Sequence, residues 1–404
     1  MGFSAGKRKS RDEEEEEDYT VTLSNLNDDV LEKVLSWLPT SCYFRMTSVC
    51  KRWKSTKTSR TFDLACSQVP SRDPWFFMVG VDDSTSSSSF VYDSTESSWK
   101  NLNRRRDLTT PVASSSGLLC FRCSVSGDFL LRNPLTGSSR ELPCQDSQDY
   151  SKPLQAVAMT TLTSSSYKLV TISGETPNLC FRFYESSSCS WSKEFELVKK
   201  KNNTDDDVDD ETETVYFLSK TGNVVAASNT LQRSPSKQYS SVITVKDSVE
   251  TVYFLSSHGT IIACDLNERS FTQLPKLLPP FVEYSIDLVE CNGTMFVVLL
   301  SEFYESASLR IWKLEKENWV HVGMLPPAMS HELYGRNGDI NCVGGDGNKI
   351  LVCFNADLPE VCYRYFVYDL VKEEWSELPR CFSDGEAVEF VSALSFQPRI
   401  EATV

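Results

Sequence analysis

Residues 22–62 read TLSNLNDDVLEKVLSWLPTSCYFRMTSVCKRWKSTKTSRTF, and this stretch decides how the chain is divided. About forty residues are too few for a large core, yet two amphipathic helical patterns run through them. Val30, Leu31, Val34, Leu35 and Leu38 recur at helical spacing and predict one helix with an apolar stripe. Asp29 followed by Glu32 fits a capping box at its start. Pro39 ends it, because proline has no N–H to continue the ladder. Thr40 and Ser41 fit the cap of a second helix, which carries Met46, Val49, Cys50 and Trp53 at i, i+3, i+4 and i+7. A small module with an unspent apolar face needs a partner. From 19 to 62 three acids stand against seven bases, so the module is positive inside an acidic chain.

The pattern Leu26-x-Asp28-Asp29-x-Leu31-x-x-x-Leu35-x-x-Leu38-Pro39, then Val49-Cys50-Lys51-Arg52-Trp53, resembles an F-box. The resemblance implies a three-helix adaptor over 19–65 that binds a Skp1-like protein and, through it, a cullin-based ubiquitin ligase. It makes Leu26, Leu31, Leu35, Leu38, Pro39, Val49, Cys50 and Trp53 the candidate Skp1-binding residues, as contact or packing residues of that site. Where the family usually has Leu-Pro, this chain has Leu26-Asn27.

The remainder is a repeat array. After residue 70 short apolar runs alternate with Ser, Gly, Asn and Asp clusters, which reads as all-β. Tyr92-Asp93 is followed seven residues after the tyrosine by Trp99, Tyr184-Glu185 by Trp191, Cys264-Asp265 by Phe271 and Tyr368-Asp369 by Trp375. Trp312 and Trp319 keep the interval, and Asn133 to Arg140 is a degenerate copy. Leu-Pro pairs follow at 142–143, 274–275, 325–326 and 378–379. A second repeat is nearly literal: ETVYFLS at 213–219 recurs at 250–256 and implies a further unit with its aromatic position at Ser234. Each unit reads as a hairpin whose acidic or amide residue bonds the turn backbone. One such sheet cannot bury both faces, so units must stack. The spacing predicts a β-propeller over 66–404, with seven blades and six as the alternative count. The run 387–396, AVEFVSALSF, is expected to complete the first blade, which starts at Trp75 and is one strand short. Ser115-Ser116-Gly117-Leu118-Leu119-Cys120, followed by Asn133-Pro134-x-Thr136, resembles the stretch behind the F-box in plant F-box/kelch-repeat proteins. The fold class is therefore multidomain α+β: a small helical F-box and an all-β, kelch-like propeller.

Composition narrows the function. Residues 12–18 and 205–213 carry seven acids each; without them the net charge of −15 falls to about −1. Such runs read as solvated chain: a disordered tail over 1–18 and an acidic loop at about 200–213. They repel phosphate, so no nucleic-acid partner is expected. The apolar runs are strand-length, so no membrane span is expected. With no secretory h-region at 1–18, the fourteen cysteines read as reduced thiols in nucleus or cytoplasm, with GKRKSR a weak nuclear signal and Ser10 a candidate phosphosite. Cys120-x-x-Cys123 has no matching second pair, so no metal and no cofactor is expected. The three histidines, His258, His321 and His331, do not cluster with a nucleophile, and no phosphate-binding loop is present. These features predict a non-catalytic chain, and the resemblance implies the substrate-recognition subunit of a Skp1–cullin–F-box ubiquitin ligase, with a propeller scaffold whose F-box serves assembly without substrate degradation as the alternative.

Overall fold

Four of the five acidic or amide turn residues in the sequence repeat satisfy backbone donors inside their own hairpins. The structure, a computed structural model, describes residues 26–80, 89–102, 109–143, 152–163, 166–200, 215–218, 224–227, 239–256, 259–275, 277, 284–303, 306–315, 318–336, 338–345, 347–356 and 360–404. Asp93 Oδ1 accepts the N–H groups of Thr95 and Glu96. Asn133, Asp265 and Asp369 do the same for the two residues at the same offsets. Four residues after each of these, and after Glu185, the backbone turns left-handed, at Ser97, Gly137, Cys189, Arg269 and Glu373. That residue reverses the chain into the next strand, and Tyr92 then faces Trp99, Tyr184 Trp191, Cys264 Phe271 and Tyr368 Trp375. The Trp312–Trp319 interval is different: Trp319 faces Leu314, and Trp312 faces His321.

The chain divides into two compact units, Met1–Cys66 and Ser67–Val404. The second is a propeller of six blades among the described residues. Blade I takes Trp75–Gly80, Phe90–Asp93 and Ser98–Asn101, and blade II runs from Thr109–Ser115 to Ser139–Glu141. Blade III runs from Leu154–Thr163 to Phe195–Lys199, and blade IV from Ser241–Lys246 to Ser270–Gln273. Blade V runs from Tyr284–Cys291 to Asn318–Met324, and blade VI from Asp339–Val343 to Glu374–Glu377. Six separate apolar clusters fill the six blade interfaces, including the one that joins blade VI to blade I.

Among the described residues the count is six, where seven were expected with six as the alternative. Val215–Leu218 pairs with Val224–Ala227 in a two-stranded sheet that falls, in sequence, between blades III and IV, and Ser234, the expected aromatic position of a further unit, lies outside the described residues. Blades III and IV join at their outer edges, where Val198 and Lys199 run parallel to Ser270 and Phe271. The acidic run at 205–213 and the tail over 1–18 lie outside the described residues.

Closure is made by the two ends of the propeller. Phe390–Phe396 pairs antiparallel with Trp75–Gly80, from Trp75↔Phe396 to Gly80↔Phe390. The last eight residues then cross to blade II. Gln397 N–H donates to Ser116 O, and Asn133 Nδ2 donates to the carbonyls of Arg399 and Ala402, 2.9 Å each. A Cβ on Gly117 would stand 2.7 Å from that of Ala402, so glycine lets the tail in.

The repeat's two markers meet across blade boundaries. The indole N–H of Trp99 donates to Pro379 O, that of Trp191 to Pro143 O and that of Trp319 to Pro275 O, each at 2.9 Å. The leucine before each proline is buried or half-buried in the same interfaces. Trp375 is the exception, since its indole N–H is buried with no hydrogen-bond partner among the described residues. Nearer the axis, buried Asp287 accepts Ser240 Oγ–H from the edge of blade IV and Cys342 N–H from blade VI.

Two outcomes follow. Trp191→Phe is expected to cost about 1 kcal/mol more than Trp375→Phe in urea denaturation, because only the first removes a made hydrogen bond. Ending the chain at residue 384 is expected to abolish the monomeric fold, since it exposes the edge of Trp75–Gly80 and opens two apolar interfaces. Size-exclusion chromatography reads this as aggregation; a monodisperse fragment would contradict it.

Candidate functional site

The helical unit spends its apolar residues on two different faces. Helix α1 spans Asp28–Ser36, α2 Thr40–Met46, α3 Lys51–Ser55 and α4 Arg60–Ser67. Leu31 and Leu35 are 1% and 2% exposed, and the unit's other buried apolar side chains are Tyr43, Phe62 and Cys66. Tyr43 stacks on Phe62 at 4.8 Å between ring centroids, and its hydroxyl meets Thr56 Oγ1 at 3.3 Å. Burial pushes that phenol above its ordinary range, and the Thr56 hydrogen bond partly offsets it.

The other face of α1 is bare. Val30, Val34 and Trp37 are 48%, 45% and 58% exposed and stand at i, i+4 and i+7. The single stripe expected from the sequence is therefore split: Leu31 and Leu35 face inward, Val30 and Val34 outward. Of the candidate Skp1-binding residues, Leu31 and Leu35 are core residues with no surface to offer. Leu26, Leu38 and Trp53 are half-buried, while Pro39, Val49 and Cys50 are exposed. Val30 and Val34 belong to the helical pattern of the sequence but not to its candidate contact residues, and Trp37, seven residues after Val30, continues the exposed row outside that pattern.

The expected second helix is two helices, so the unit has four short helices where the resemblance implies three. Thr47 Oγ1 and Ser48 Oγ donate back to Phe44 O and Arg45 O at 2.8 and 2.6 Å. Such local bonds offer the backbone an alternative to continued helix, and Cys50 is fully extended before α3 begins. The Asp29–Glu32 capping box does not form: Asn27 precedes the helix without a side-chain cap. Glu32 instead accepts Thr61 Oγ1–H of α4 at 2.6 Å. Pro39 serves as the N-cap of α2, and Thr40 and Ser41 are its first two residues.

Arg52 explains part of the VCKRW pentapeptide. Its guanidinium bonds the Asp28 carboxylate, Nε at 2.8 Å and Nη2 at 2.7 Å, and also donates to Leu26 O. This pins the start of α1 to α3 and leaves Val49 and Cys50 on the outside. Lys33, Arg45, Lys51, Lys54, Lys57 and Arg60 are exposed, against the exposed acids Asp28, Asp29 and Asp63, so the described surface of the unit carries more positive than negative charge.

On the propeller, His321 packs edge-on against Trp312 and His331 lies in a short turn of helix; His258 is outside the described residues. Cys120 is buried in blade II, where burial pushes its thiol up, while hydrogen bonds from Ser126 lower that of Cys123. Among the described residues every cysteine is a free thiol, and no cluster of histidine, cysteine and acid could hold a metal. No described helix is long and apolar enough to cross a membrane.

A helical unit of this kind ahead of a six-bladed ring defines an F-box protein with a β-propeller. Residues 23–64 match the F-box domain and residues 91–369 the KIB1-4 beta-propeller. The chain belongs to the family of F-box proteins with a KIB1-4 β-propeller. It is 71% identical to F-box only protein 13 of Arabidopsis thaliana, over all of this chain and 91% of that protein. It is 25% identical to F-box only protein 6 of the same plant, over 87% of this chain and 68% of the relative. An Arabidopsis F-box/kelch-repeat protein is 35% identical over 36% of each chain.

Arg52→Ala is expected to destabilise the helical unit by about 1–3 kcal/mol, because Asp28 and Leu26 O lose a charge-assisted partner. Thermal unfolding of a 19–66 fragment fused to a carrier reads the loss, and Arg52→Lys should restore only part of it.

Proposed function

We propose that this chain is the substrate-recognition subunit of a Skp1–cullin–F-box ubiquitin ligase. The observation that carries this reading is the exposed row Val30, Val34 and Trp37 on a helical unit that already has a core of its own. Three exposed apolar side chains in one helical row on so small a unit are suited to a partner's groove. That partner is a Skp1-like protein, and through it a cullin. The propeller holds a protein substrate, and no residue of this chain performs chemistry. Catalysis is by proximity: lysines of the bound substrate are held near a ubiquitin-charged enzyme supplied by other subunits. The complex works in the nucleus or the cytoplasm, where the thiols stay reduced. A scaffold that uses the same helical unit for assembly, without degradation, is the second reading; substrate half-life separates the two.

The core and the bare face make different predictions. Trp37→Ala should leave the melting temperature nearly unchanged while weakening capture of a purified Skp1-like protein by about 2 kcal/mol or more. Leu35→Ala should weaken capture by unfolding the unit, at a cost of about 2–5 kcal/mol in stability. Circular dichroism of the fused fragment distinguishes them. Full capture by Trp37→Ala would remove the bare face as the docking site.

A further inference from the structure

Blade III departs from the repeat at one atom. In blade I the Ser97 hydroxyl, at the left-handed turn position, lies within hydrogen-bonding reach of the Tyr92 phenol. In blade III the same two places hold Tyr184 and Cys189, so a sulfur stands where the serine oxygen would be. Tyr184 is fully buried, and its hydroxyl forms no regular hydrogen bond among the described residues; the thiol beside it is a weak acceptor. Tyr167, 2% exposed, stacks on Tyr184 with ring centroids 6.3 Å apart, and its hydroxyl is likewise unpartnered among the described residues. Burial pushes both phenols above their ordinary range, so both hold their protons and stand as donors. Cys189 itself is exposed, and its S–H donates to Ser186 O at 3.2 Å. The guanidinium of Arg140, from the outer strand of blade II, is within hydrogen-bonding reach of the same sulfur.

Donors gathered around an exposed thiol suit an oxygen placed on that sulfur. A hydroperoxide oxidises cysteine through its thiolate, and the product is a sulfenic acid. The sulfur attacks one peroxide oxygen, the O–O bond breaks, and the departing hydroxide combines with the thiol's proton as water. Sulfur loses two electrons and the peroxide gains them. The new oxygen is a better acceptor than sulfur. Arg140 gives it a charge-assisted hydrogen bond, and Tyr184 gains the oxygen neighbour that Tyr92 has in blade I. A buried hydroxyl left unpaired is costly, so oxidation relieves a cost that the reduced turn carries. We propose that Cys189 is a site of reversible oxidation by a hydroperoxide, its sulfenic oxygen held by Arg140 and Tyr184. The site lies where blades II and III meet, since Trp191 faces Tyr184 and donates to Pro143 O. Oxidation therefore acts on the joint between two blades.

The test treats the purified, reduced full-length chain with hydrogen peroxide and traps sulfenic acid with dimedone, which couples to sulfenic acids and not to thiols. Peptide mass spectrometry then reads the label at each cysteine. Cys189 should be labelled about tenfold faster than Cys50, the other exposed thiol among the described residues, which is the scale of one hydrogen bond to a charged group. Arg140→Gln should remove most of that lead, and Arg140→Lys should recover part of it. Tyr184→Phe should slow labelling by about fivefold, the scale of a neutral hydrogen bond. It should not lower the melting temperature of the reduced chain, because the hydroxyl it removes was unpaired. Cys189→Ser, which restores the oxygen found in blade I, should melt above Cys189→Ala. If Arg140→Gln unfolds, Tyr184→Phe decides. Labelling of Cys189 no faster than of Cys50, labelling indifferent to both variants, or a serine variant that melts below the alanine one would overturn the proposal. No ligase subunit enters the experiment, so its outcome is independent of the ligase reading.

Discussion

Everything in the propeller depends on the pairing of its last strand with its first. Until Phe390–Phe396 lies beside Trp75–Gly80, blade I is a three-stranded sheet with an open edge, and the cluster around Phe76, Phe90 and Phe390 has no inner wall. Blade VI also needs that strand, because Asn341 and Asn355 both donate their amides to Val391 O. Tyr365, whose hydroxyl burial pushes well above its ordinary range, accepts Phe390 N–H at 2.7 Å. One strand thus completes a sheet, fills an interface and hydrogen-bonds three polar side chains of blade VI, of which Asn341 and Tyr365 are buried. A closed ring has no inner-strand edge left to pair with another chain, which an open array of the same sheets would have.

The same constraint gives a physical meaning to the motif behind the helical unit. Gly117 admits the C-terminal residues at a distance no side chain would allow, and Asn133 works in two directions. Its Oδ1 organises its own turn while its Nδ2 holds the tail carbonyls. Arg399, paired with Glu401, reaches back to the carbonyls of Val69 and Pro70 before blade I. The tail therefore binds the first two blades together from the side opposite in sequence. Residues that look like a family signature are, in this fold, the receiving site for the chain's own end.

Much of this architecture was legible because its chemistry is local. Asp93, Asn133, Asp265 and Asp369 build their turns from their own side chains, so a seven-residue interval marks a hairpin wherever it occurs. Ring closure was legible from an arithmetic of strands, one missing at the front and one spare at the back. What was not legible is what depends on company. The sequence places Leu31, Val30, Leu35 and Val34 on one apolar stripe, and nothing local says that the leucines would be buried while the valines would not. The second helix broke where Thr47 and Ser48 turned their hydroxyls back on the chain, a competition that apolar spacing alone does not weigh. Trp312 and Trp319 sat at the right interval for the wrong pair.

The literal repeat makes the limit of local reading most plain. Residues 213–219 and 250–256 have the same seven letters, and their described parts, Val215–Leu218 and Val249–Leu255, form hairpins of the same register: Tyr216 faces Ala226 as Tyr253 faces Ala263. Register is therefore a property of the segment itself. Blade membership is not. The second copy has Ser241–Lys246 on one side and Ser270–Gln273 on the other, and Phe271 is there to enter the interface with blade III. The first copy has an acidic run before it and Ser234 where the aromatic would stand. A hairpin becomes a blade only when strands on both flanks and an aromatic for the neighbouring sheet come with it, and that requirement is what separates six blades from seven.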